Sequence, residues 1–183
     1  MIAFDKEHSS AWMEMMSAYQ IFRAKLFDWA HEPDQVKQKD LLLEFGSWKN
    51  RELPRRMLVV DLLRSTEMWD EKALLLAQKE LTAVALYEQD EVAAYARMAL
   101  SKLKGRPERL AIADEVLHLA VVEEEKAEPD PVVFHNGCLL LYDLQCEVQF
   151  SRYADRYGTL IEQAYGLDKK DLVEMKKTMS VAL

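Results

Sequence analysis

The 183 residues are half hydrophobic and nearly a third charged, carry a net charge of −8, and include only five glycines and five prolines. That length and balance suit one soluble domain with a real core, and such sparse turn chemistry argues against a β-rich fold. Most of the acidic excess lies between residues 61 and 130, where sixteen carboxylates face nine basic residues, which disfavours nucleic acid and anionic membranes as partners.

The opening segment MIAFDKEHSS lacks a basic stretch followed by an apolar core, so no signal peptide is expected. A first helix is predicted from Ser9 or Ser10 to Ala30, with Trp12, Met15, Met16, Tyr19, Phe22, Leu26 and Trp29 recurring at three- and four-residue steps. That stripe reads as a cap over the end of a helical stack. A short helix Asp34–Phe45 follows, stopped by Gly46. The loop SWKNRELP and the residues just after it place Trp48 beside Lys49, Arg51, Arg55 and Arg56, a basic patch with an indole suited to an acidic peptide or a small anion.

Further helices are expected at 54–68, 70–89, 90–104 and 107–126. A long one is expected at 131–156, a short one between Gly158 and Gly166, and a last one at 168–181. Helix 70–89 is apolar on more than one face, which predicts neighbours on several sides. Cys138 and Cys146 fall on the long helix, about 12 Å apart at a rise of 1.5 Å per residue, too far for a disulfide. Their apolar surroundings read as core packing in a reducing compartment, so the expected location is cytoplasmic.

The starts at Pro33-Asp34, Asp70-Glu71 and Pro107-Glu108 are each 37 residues apart, and a second series at Pro54, Asp90-Glu91 and Pro131 lies between them. Proline loses no partner in a first turn, and early carboxylates suit the positive end of the helix dipole. The spacing predicts one all-α domain: a capping helix over 1–32, three stacked hairpins over 33–157 and capping helices over 158–183. The architecture is then an α-solenoid, with an irregular helical bundle as the alternative.

Within that series, QDEVAAYARMALSKLKG resembles the second helix of a HEAT-type repeat, through Asp90, Val92, Ala96, Ala99, Leu100 and Leu103. A second copy 41 residues on sets Val133, Gly137, Leu140, Leu141 and Leu144 against Val92, Ala96, Ala99, Leu100 and Leu103. Glycine inside a helix costs roughly 1 kcal/mol against alanine, so Gly137 needs a reason such as close helix approach. The resemblance covers about 69–145 and implies an elongated binding surface without a catalytic centre.

Chemistry-bearing patterns are few. Asp5/His8, Asp28/His31 and Glu115/His118 each place a carboxylate three residues before a histidine, and only the last lies mid-helix. His135 sits three residues before Cys138, but there is no CxxC, and neither an orienting third group nor an oxyanion hole marks a nucleophile. GxGxxG, Walker, GxSxG and HExxH motifs are absent from the sequence, and no cofactor is expected.

Glu123, Glu124 and Glu125 end a helix, where carboxylates oppose the dipole at about 0.3–1 kcal/mol each. In a hairpin array the turns align along one edge. Glu88, Asp90 and Glu91 would then join Glu123, Glu124, Glu125, Glu128 and Asp130 in one acidic ridge. The leading reading is a non-enzymatic protein-interaction module, of adaptor, inhibitor, immunity or assembly-chaperone type, that takes a basic partner on this ridge or on a concave face. The alternative is a helical-bundle metal- or ligand-binding protein or enzyme using Glu115 and His118. Dimerisation through an uncapped end, at Trp12 or Trp29, is a further option.

Overall fold

In a computed structural model the described residues are 71–164 and 166–181, together with Met13 and Ser17. The continuous part forms six helices: α1 Glu71–Tyr87, α2 Asp90–Leu100, α3 Arg106–Glu124, α4 Pro131–Asp143, α5 Glu147–Gln163 and α6 Lys169–Val181. No strand occurs among the described residues, which are all-α as the sequence implies. Met13 and Ser17, both helical and exposed, fall within the first expected helix. The rest of that helix, the segments 34–45 and 54–68 and the loop around Trp48 lie outside the described residues. The chain divides between Ala73 and Leu74, and the second unit is the one whose packing follows.

Helix starts follow local chemistry. Asp130 caps α4 by accepting from the Val132 N–H at 2.9 Å, with Pro131 in the first turn. Asp168 opens α6 with a reciprocal pair. Its carboxylate accepts from the Lys170 and Asp171 amides at 2.7 and 3.0 Å, and its own N–H donates to Asp171 at 2.9 Å. Those amides, Asp171 first, hold the Asp168 carboxyl below its ordinary range.

The helix expected over 90–104 ends at Leu100, and a larger departure from expectation comes further along the chain. The long helix read over 131–156 is two helices, broken at Leu144–Cys146, and Gly158 lies inside α5 instead of delimiting a short helix. At the break the Gln145 N–H donates to Tyr142 O at 2.9 Å and the Cys146 N–H to Leu141 O at 3.1 Å. This is the Schellman arrangement, and Gln145 takes the left-handed position at φ 56°. Glycine usually fills that position. Its absence hid the turn, so Cys138 and Cys146 sit on different elements, both buried and free.

α4 is the central helix of this unit. Its most extensive partner is α5, and it also packs on α3 and α2; α5 in turn meets α3 and α6. Val133, Phe134, Asn136, Gly137, Cys138, Leu140 and Leu141 are buried, covering more than one face as a multiply packed helix requires. Both segments compared as repeats are buried at each matched position, from Val92 to Leu103 and from Val133 to Leu144. Gly137 is the close approach that its placement in an apolar helix suggests. A Cβ there would run into the Tyr153 hydroxyl, with Tyr153 Cζ at 2.9 Å and Val116 Cγ1 at 3.3 Å. Tyr153 and Phe134 then share the Tyr157 ring, each at a centroid distance of 4.9 Å.

Gly137→Ala is expected to lose about 1–2 kcal/mol in urea denaturation, since overpacking outweighs the propensity gain. The loss should shrink in a Tyr153→Phe background, where the hydroxyl that meets the new methyl is gone. Gln145→Gly is expected to gain about 0.5–1 kcal/mol by relieving the left-handed residue. An unchanged midpoint for Gln145→Gly would show that the turn carries no strain.

Candidate functional site

One amide joins the α1–α2 turn to the start of α4. Asn136 on α4 donates through Nδ2 to Leu86 O at 3.1 Å and Glu88 O at 3.0 Å, the carbonyls ending α1. Its Oδ1 accepts from Arg97 Nη1 of α2 at 3.2 Å, and Arg97 Nε lies 3.5 Å from Asp143 Oδ2, two turns along α4. Burial lowers the pKa of Arg97 and raises that of Asp143, in each case outweighing the attraction of the other. Asn136 therefore holds the α1–α2 turn against the start of α4, beside the α3–α4 turn. Lys126 from that second turn places its ammonium 5.4 Å from the centre of the Tyr87 ring.

The carboxylates of the ridge divide by what they touch. Glu123 is buried, accepting from Lys126 Nζ at 2.5 Å and from the Asp130 N–H at 3.0 Å. Glu124 pairs with Arg156 and accepts from the Tyr157 hydroxyl at 3.2 Å. Glu88 is also buried. Glu91, Glu125, Glu128 and Asp130 are exposed, while the side chain of Asp90 lies outside the description. The ridge read from the sequence thus contains two carboxylates that face inward and a smaller exposed set. Tyr87, half-exposed among them, was not a candidate from sequence. Burial raises its phenol pKa, and the Glu123 carboxylate raises it further.

The other candidates fall elsewhere. Glu115 is half-buried and His118 exposed on α3, and no group of three metal-ligating side chains occurs among the described residues. Asp5, His8, Asp28, His31, Trp12, Trp29, Trp48, Arg51, Arg55 and Arg56 lie outside the described set. Burial pushes the Cys138 thiol up to about 12 and also raises that of Cys146, which disfavours the thiolate at both. His135 is half-buried, its Nδ1 without a hydrogen-bond partner among the described residues. Burial and then the Arg97 charge lower its pKa below 6.5. No described helix is long and apolar enough to cross a membrane.

Asn136 and Arg97 are the organising residues that motif reading passed over. The available signal was an amide inside the apolar run VVFHNGCLLL, where a buried polar side chain needs partners. Compared with family models, with curated proteins and with solved structures, the chain gives no match.

Asn136→Ala removes both donors and the Arg97 acceptor, and an expected loss of about 2–4 kcal/mol is readable in urea unfolding. Asn136→Asp keeps the acceptor but faces two carbonyls with a carboxylate, so it should rescue little. For His135, the folded pKa lies below the unfolded one. The stability gained from the neutral ring is therefore complete above pH 6.5 and lost as pH falls through the folded value. His135→Gln should flatten that part of the stability–pH curve, and an unchanged acid limb would show that another group causes it.

Proposed function

We propose that this protein is a non-enzymatic, HEAT-like interaction module of the cytoplasm that binds a basic protein partner along its acidic edge. The observation that carries the reading is the juxtaposition of the α1–α2 and α3–α4 turns, joined by Asn136 and by Lys126 over Tyr87. It leaves Glu91, Glu125, Glu128 and Asp130 exposed on turns brought to one edge. Contacts between helices one or two steps apart in the chain, and the burial of both compared segments, support the repeat reading.

Binding at such an edge rests on complementary charge, which speeds encounter and selects the partner more than it adds affinity. Tyr87 supplies the aromatic contact that charge alone lacks, and its ring already accepts a cation. Nucleic acid and membrane surfaces do not fit this potential.

A tagged full-length chain is expected to retain a basic partner from its own cell lysate and release it at about 1 M salt, where screening falls to ~3 Å. Reversing Glu91, Glu125 and Glu128 to lysine should abolish capture with only a small change in the thermal midpoint, because all three side chains are exposed and only Glu91 sits in the first turn of a helix. Retention by the triple variant would overturn the edge as the binding surface.

A further inference from the structure

The opposite end of α3 opens on a groove of about 290 Å³ that has no part in the acidic edge. Leu110, Leu144, Val148 and Met179 supply its apolar walls, and Arg106 and Arg109 its charge. Val148 is 58% exposed, a large apolar side chain left in solvent at the groove wall. The two arginines differ in what they already do. Arg109 is anchored, with Nη2 donating to Lys104 O at 2.9 Å and Nη1 to Leu144 O at 3.4 Å; its Nε is buried without a partner. Arg106 is exposed and makes no ion pair among the described residues. The one carboxylate in the wall, Glu147, is engaged by the Ser180 hydroxyl at 2.8 Å.

We propose that this groove docks an acidic segment of a partner protein, one that sets a carboxylate beside an apolar side chain. Charge complementarity selects the occupant. Guanidinium groups favour carboxylates through paired N–H donors, and on a chain of net charge −8 this groove sets two of them against the single lining carboxylate of Glu147. The apolar walls select further, because a free inorganic anion would leave Leu110 and Val148 wet whereas a peptide side chain covers them. Arg109, held at two nitrogens, is preorganised, and Arg106 is free to close on the ligand. The groove lies about 27 Å along α3 from the acidic edge, so the two surfaces are separate.

The test is fluorescence anisotropy with the full chain and a labelled peptide alternating aspartate and leucine. Two control peptides carry lysine for aspartate or serine for leucine. Binding of the aspartate–leucine peptide is expected, weakened about tenfold by Arg106→Glu and similarly by Val148→Asp, a difference within the range of one buried charged contact. Both positions are exposed, so both variants should keep the wild-type thermal midpoint. The proposal is overturned by equal binding of the aspartate–serine peptide, by an Arg106→Glu affinity equal to wild type, or by no binding at millimolar peptide. Sedimentation of the chain alone covers the remaining occupant. Self-association abolished by Arg106→Glu would assign the groove to a second copy and overturn the foreign partner.

Discussion

Asn136 can make three directed hydrogen bonds from one side chain, and the arrangement of α1, α2 and α4 depends on it making all three. Its two N–H groups satisfy the carbonyls that end α1, and its oxygen receives Arg97 from α2. The two carbonyls would otherwise be buried without water, at a cost of about 1–3 kcal/mol apiece. The apolar contacts around it have no comparable direction. Burial brings helices together, whereas this amide fixes which turn of α1 meets which turn of α4. Gly137, the next residue, does the same on another side of α4 by admitting the Tyr153 hydroxyl where any other residue would place a Cβ.

The charges on α3 follow from its packing against α4. Arginines at its start and glutamates at its end run against its own dipole. They are correctly placed for α4. Arg109 donates to Leu144 O, at the negative end of α4, and Glu123 accepts from the Asp130 N–H, at the positive one. A pattern that looks unfavourable on one helix thus satisfies the unpaired backbone groups of its neighbour. What remains after that use is the chemically informative residue: Arg106 at one end, and Glu125 and Glu128 at the other, while Asp130 already caps α4. These exposed groups carry the functional readings, because the packing does not use them up.

The elements near the candidate site differ in how legible they were. The starts of α2, α3 and α4 were visible because aspartate and proline act locally, within one turn. Gly137 was visible as a close approach because a glycine in an apolar helix has no other physical reason. The α4–α5 break was invisible because Gln145 fills a position that glycine usually marks, and the surrounding run YDLQCEVQF keeps a helical period through it. Glu123 and Glu88 were counted as surface because nothing in a run of acids distinguishes one that faces inward.

The sequence by itself determined that the described part of the chain is helical and where most of its helices begin, since capping, proline placement and apolar periodicity act over three or four residues. Only the tertiary structure decided which of these polar side chains are shared between helices. A hydrogen bond from Asn136 to Leu86 spans fifty residues, and no local pattern encodes the partner at its far end. The same reason separates the acidic edge from the basic groove. Both lie on α3, but each is completed by turns that the chain reaches only after folding back.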